Sequence, residues 1–77
     1  MKKPITKLYA WIARDAEGVE GVCSWYDEKI KGYRALIHPD RKRAEEWRPT
    51  AMKIYNEGQF PMRLVVFSFA QTLEKYP

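Results

Sequence analysis

Leu8-Tyr9-Ala10-Trp11-Ile12-Ala13-Arg14, closed by Asp15-Ala16-Glu17-Gly18, is the stretch on which the fold of this chain turns. Leu8, Ala10 and Ile12 point one way, and Tyr9, Trp11 and Ala13 the other. Both faces are apolar, which predicts an interior strand covered on both sides or a strand with an exposed adhesive face. Asp15 to Gly18 reads as a type I turn in which glycine supplies the left-handed position. A hairpin follows, with strands over residues 5–14 and 19–26. Gly21 inside the return strand weakens pairing and suggests a bulge.

Downstream, Asp27-Glu28-Lys29-Ile30-Lys31-Gly32 is a charged connection leading to a third strand over 33–37, which Pro39 stops because proline has no N–H for a ladder. From Asp40 the apolar period changes to that of a helix. Ala44, Trp47, Ala51, Ile54 and Tyr55 fall on one stripe. Pro49 interrupts the stripe without changing its phase, so a kinked helix or two abutting helical turns are expected. Asn56-Glu57-Gly58 is a helix stop that places Gly58 in the left-handed conformation. Residues 62–69 form the most strand-like run, and 70–76 are expected to make a short final helical turn. The expectation is an α+β fold in the order β-β-β-α-β. It comprises a three-stranded antiparallel meander, one kinked helix on one face, and a fourth strand returning beside the first, in spatial order 3-2-1-4, parallel to the third.

Seventy-seven residues make one domain, of a size that buries only about 60% of the unfolded chain's surface. Three Trp, five Tyr and three Phe compensate, and exceed what a small core uses, which leaves some for a surface. The single cysteine, Cys23, excludes an internal disulfide framework, so a reducing cytoplasm is the expected location. Lys2 and Lys3 imitate the start of a signal peptide. The residues after them carry Lys7 and reach Arg14-Asp15 without a small-residue cleavage site, so they read as strand. No apolar run approaches the roughly 20 residues that span a bilayer, and no membrane association is expected.

Net charge is +4, and its sign alternates along the chain: positive over 2–14, negative over 15–28 and positive again over 29–48. The densest cation run, Arg41-Lys42-Arg43, follows Asp40 at the expected helix start. Cations there oppose the macrodipole at about 0.3–1 kcal/mol each, which raises the question of an anionic partner. Asp40 as N-cap, and Glu45 and Glu46 at i,i+3 and i,i+4 spacing, answer the charge internally. The run therefore reads as a mixed-charge surface for a protein partner first and nucleic acid second. Arg48, Lys31 and Arg34 support it, and Tyr9 and Trp11 are aromatic anchors on the open sheet face.

Catalytic and metal sites are not expected. Cys23 and His38 stand alone of their kinds, with no positioning motif for a nucleophilic pair and no zinc ligand set. No phosphate-cradling glycine loop is present, so no cofactor is expected. Glu45 and Glu46 are helix neighbours about 100° apart rather than an acid–base dyad. Lys31-Gly32-Tyr33 begins like the RNA-contacting motif of an RRM domain, but Arg34, Ala35 and His38 depart from it, and no helix separates the first two strands.

Leu8-Tyr9-Ala10-Trp11-Ile12-Ala13, Glu20-Gly21, Ala44-Glu45, Arg48-Pro49 and Arg63-Leu64-Val65-Val66-Phe67-Ser68 together resemble a group of short proteins of bacterial genomes and their phages or mobile elements. That group has no assigned activity and no functional residues to transfer. The resemblance implies context: a small accessory protein that binds and blocks a host macromolecule. The expectation is thus a non-catalytic binding protein. Nucleic-acid binding through the same cations, and a homodimer or larger homo-oligomer through the uncovered sheet face, are the alternatives.

Overall fold

The computed structural model describes residues 4–76, so Lys2 and Lys3 lie outside the described residues. The order is β1 (Lys7–Arg14), β2 (Glu20–Val22), β3 (Ser24–Asp27), β4 (Gly32–Ala35), β5 (Ile37–His38), α1 (Arg41–Glu46), α2 (Arg48–Gly58) and β6 (Met62–Ser68). The α+β class holds. The order β-β-β-α-β does not, because the second and third expected strands each divide in two.

β1 is the central strand. Along one edge it pairs antiparallel with β6 over nearly its whole length, from Lys7 opposite Ser68 to Ala13 opposite Met62. Its other edge is shared. Ile12, Ala13 and Arg14 pair with Val22, Gly21 and Glu20 of β2, while Tyr9 and Ala10 pair with His38 and Ile37 of β5. β5 and β6 therefore flank β1 in the same direction. The last strand lies beside the first and parallel to the end of the third, as the crossover argument requires. The order 3-2-1-4 fails, because β5 replaces β2 on part of the same edge of β1.

The exchange happens at a ring of three backbone hydrogen bonds. Cys23 N donates to Trp11 O (2.7 Å), Leu36 N to Cys23 O (2.8 Å), and Trp11 N to Leu36 O (3.0 Å). All three residues are buried, and their side chains belong to one core cluster. Between Cys23 and Leu36 the chain leaves the sheet as a separate antiparallel ribbon, β3 paired with β4. The interruption thus falls at Cys23 and not at Gly21, which pairs in register with Ala13. Backbone groups at a strand end must find partners when buried. The ring satisfies three donors and three acceptors at the point where three pairs of strands separate.

The hairpin turn follows its sequence signature. Gly18 has φ +87°, Gly18 N donates to Asp15 O (3.0 Å), and Asp15 Oδ1 accepts from Glu17 N and Val19 N. Asp40 caps α1, its carboxylate accepting from Lys42 N (3.0 Å). The helical stretch is two helices rather than one bent helix. Trp47 closes α1 and opens α2, and Pro49 occupies the first turn of α2, where a missing N–H costs nothing.

At the end of α2 the left-handed residue is Gln59 (φ 57°), whose N–H reaches Tyr55 O, and not Gly58. At Gly58 the neighbour is a side chain: a Cβ there would stand 2.5 Å from the exposed Phe60 ring, which would have to shift. The helical turn expected over 70–76 is absent, and those residues are irregular.

Both helices cover the β1 face that carries Trp11. Ala44 and Ala51 are buried against it, with Trp47, Ile54, Met62 and Leu64 packed around. Alanine at the helix contacts lets the backbones approach the large indole. The radius of gyration, 14.3 Å, exceeds the roughly 11–12 Å of a compact chain of this length. The β3–β4 ribbon, which packs chiefly on itself, and the irregular stretch after β6 extend the molecule to 43 × 30 × 22 Å. Among the described residues no helix is long and apolar enough to cross a membrane.

Candidate functional site

The cations expected to form one surface are distributed over three places. Arg41, Lys42 and Arg43 are exposed on α1. Arg41 Nε lies 2.8 Å from Glu45 Oε1, and Arg43 Nη1 4.0 Å from Glu46 Oε2. These helix-surface pairs follow the spacing of the sequence, and each contributes about 0.2–0.5 kcal/mol. Arg48 sits at the start of α2 with its guanidinium 5.8 Å from the centroid of the Trp11 ring. That distance is within cation–π range, so Arg48 is engaged on the core indole.

Lys31 and Arg34 belong to the ribbon. Lys31 ends its turn with φ 50°, and Arg34 Nε donates to Asp27 Oδ2 (3.1 Å). Asp27 is buried and also accepts from Lys29 N through Oδ1 (2.9 Å). The pair therefore braces the ribbon turn, with the Arg34 side chain still 47% exposed.

Tyr9 and Trp11 are not on the open sheet face. By strand alternation they share the face covered by the helices. Trp11 is 8% exposed and Tyr9 half-buried. Trp11 Nε1 donates to Ala44 O (2.8 Å), which uses the polar edge of the indole to tie α1 to the sheet. Tyr9 borders a small recess with Arg41, Leu64 and Val66. The face away from the helices carries Leu8, Ala10 and Ile12 with their cross-strand partners Phe67, Val65 and Val22; Ala10 and Ile12 are buried there, while Phe67 and Val22 are exposed. At one end it is bounded by an ion-pair cluster in which Glu20 accepts from Arg63 (2.8 Å) and Arg14 (3.3 Å). The Arg63 guanidinium, with help from Arg14, holds the Glu20 carboxyl below its ordinary value.

The aromatic surface that does stand free is on the ribbon. Pairing sets Ser24 opposite Ala35 and Tyr26 opposite Tyr33, so these four share one face. Trp25 and the Asp27–Arg34 pair take the other, with Trp25 packed against the core. Tyr33 is 75% exposed and Tyr26 45%, their rings edge to face at 5.5 Å. Each tyrosine presents a flat apolar ring and a hydroxyl, and small Ser24 and Ala35 leave those rings accessible. Ile30, in the turn, is also exposed. Neither Tyr26 nor Tyr33 is among the site residues expected from sequence. Their signal there is the alternation of large and small residues across the charged connection, which only acquires meaning once the two strands pair with each other.

Cys23 and His38 do not join in a nucleophilic pair. Cys23 Sγ reaches Ser24 O, and burial pushes its thiol up. His38 Nδ1 accepts from Asp40 N (2.9 Å), and the ring packs edge-on to Trp47. Among the described residues no group of three or more His, Cys, Asp or Glu is placed to hold a metal ion.

No family model matches the chain, and neither does a curated protein or a solved structure.

Proposed function

We propose that this chain is a non-catalytic binding module that occupies a surface on a partner protein through the β3–β4 ribbon. The observation that carries the reading is the exposed Tyr26–Tyr33 pair on a two-stranded element that pairs separately from the main sheet and turns only its Trp25 face to the core. Tyrosine is enriched where partners are gripped, because it supplies large contact area with few rotatable bonds. The Asp27–Arg34 pair and the Asp27–Lys29 bond stiffen the turn, which lowers the ordering cost of binding. Lys29 and Lys31 beside the turn supply positive charge for an acidic rim on the partner.

The basic start of α1 is a secondary surface in this reading. Its arginines are answered by Glu45 and Glu46, which favours a protein over a polyanion. The likeness to short phage and mobile-element proteins supports an accessory protein that binds a macromolecule of a bacterial host.

Affinity capture from bacterial lysate tests this, with nucleic acid digested in a parallel sample. A protein retained after digestion and lost when Tyr26 and Tyr33 are both changed to Ala supports the ribbon. A protein retained equally by that variant overturns it. Capture that vanishes on digestion and is abolished by Arg41→Glu, Lys42→Glu and Arg43→Glu together would instead favour nucleic acid. Its affinity would then fall with salt at a slope of about 0.9 per neutralised phosphate on duplex DNA.

A further inference from the structure

We propose that a second copy of this chain covers the open sheet face, each copy laying residues 69–76 across the face of the other. No helix lies on this apolar face: Ala10 and Ile12 at its centre are buried, Leu8 and Val65 are half-buried, and Val22 and Phe67 stand 44% and 46% exposed. Near Gly21 it dips into a shallow recess of about 270 Å³ lined by Ile12, Val22, Val65 and Phe67, with Glu20 and Arg63 at its rim.

The same chain exposes the apolar stripe that fits it. Phe69, Leu73 and Tyr76 fall at i, i+4 and i+7, one face of a helix, yet they are 54%, 83% and 81% exposed in an irregular segment. A segment of eight residues is too short to hold a helix alone in water and forms one where its apolar side is buried. Glu74, which accepts from the Tyr76 hydroxyl (3.1 Å) and is followed by Lys75, carries the sign opposite to the rim, where two arginines share one glutamate.

Geometry selects the second copy over the segment's own sheet. β6 runs from Met62, beside Ala13, to Ser68, beside Lys7, and Phe69 N then bonds Thr6 O (3.0 Å). The segment therefore starts roughly 20 Å from Arg63, counting about 3.3 Å per strand residue. As a helix it covers only about 12 Å. Folding back in its own copy, it would leave the recess and its charged rim uncovered. A twofold pairing brings the partner's segment in from the far end and closes both faces with the same contact made twice. Two aromatics and a leucine per copy, with the surface beneath them, reach the roughly 1,200–2,000 Å² of a stable interface.

Sedimentation equilibrium of the 77-residue chain, from low micromolar to near-millimolar concentration, tests this together with Leu73→Asp and Val22→Asp. The expected result is a dimer that each substitution weakens by roughly a hundredfold or more, about 3 kcal/mol. Helical circular dichroism should rise as the dimer forms. In a mixed sample of differently labelled copies, Leu73 and Val22 methyl groups should show contacts between copies. Leu73 lies outside every regular element, so its variant keeps the fold. A chain that stays monomeric at near-millimolar concentration overturns the proposal. So does a dimer indifferent to Leu73→Asp. The Tyr26–Tyr33 face is separate, so loss of dimerisation leaves capture through the ribbon unchanged, and failed capture leaves the dimer.

Discussion

The indole nitrogen of Trp11 donates a 2.8 Å hydrogen bond to the carbonyl oxygen of Ala44, joining the central strand to the first helix across 33 residues of sequence. α1 is only six residues long, and on its own it would not persist. Its place depends on this bond, on the Asp40 cap and on the burial of Ala44.

Trp11→Phe keeps an aromatic ring in the core but removes the donor. The expected loss is about 1–3 kcal/mol, from the hydrogen bond and from the space the smaller ring leaves in the core, because Ala44 O keeps its bond from Trp47 N (3.2 Å). Urea unfolding followed by far-UV circular dichroism measures it, and a change under about 0.5 kcal/mol would show that α1 is held by other contacts.

Leu36 is fully buried at the ring of backbone hydrogen bonds where β2, β3, β4 and β5 meet. Leu36→Ala opens a cavity at that point and is expected to cost about 2–5 kcal/mol. Ile30→Ala, at the exposed ribbon turn, should stay within about 0.5 kcal/mol. Thermal and urea unfolding of both variants compares them directly.

Gly18 and Gly21 lie three residues apart and should respond with opposite sign. Gly18 holds φ +87°, so Gly18→Ala is expected to destabilise by about 1–2 kcal/mol. Gly21 has ordinary strand backbone, and the space where a Cβ would stand is open, so Gly21→Ala should stabilise by roughly 0.5–1 kcal/mol. Urea midpoints of the two variants decide the matter.

Glu20 links stability to acid. Its carboxyl is held down chiefly by the hydrogen bond from Arg63, so the native state binds that proton less readily than the unfolded chain. The stabilisation is present above the unfolded carboxylate pKa and is lost as pH falls through the lower native value. Glu20→Gln should therefore lower the melting temperature at neutral pH, and the difference from the parent should vanish in strong acid. Melting curves between neutrality and pH of about 2 would show it, and a pH-independent difference would exclude the linkage.

Local chemistry is legible where one residue type and its immediate neighbours decide the outcome. Asp15 and Gly18 mark the turn, Asp40 the cap, Pro49 the joint between helices, and the glutamates at i+3 and i+4 their arginine partners. Gly58 does end the second helix, but the left-handed conformation belongs to Gln59, and a Cβ at Gly58 would meet the Phe60 ring. The strand over 19–26 is legible as extended chain. Its division at Cys23 is not, because alternation reports which side a residue faces and is silent about which strand lies beside it.

The candidate site shows the same boundary. Tyr9 and Trp11 alternate with Leu8, Ala10 and Ile12 on a strand with two apolar faces, and nothing within that strand says which face the helices will cover. Alanines at 44 and 51 admit the indole, which places Trp11 inside and leaves the other face open. Pairing of β3 with β4, away from the sheet, then turns Tyr26 and Tyr33 outward.

The Asp15–Gly18 turn, the Asp40 cap, the helix stripe and the in-helix ion pairs follow from the order of residues alone, because they depend on contacts between positions a few places apart. The topology, the buried role of Trp11 and the exposure of the ribbon tyrosines arise only in the assembled fold. They depend on competition among distant strands for the two edges and two faces of β1, which is settled when backbone donors, acceptors and apolar surface are satisfied together.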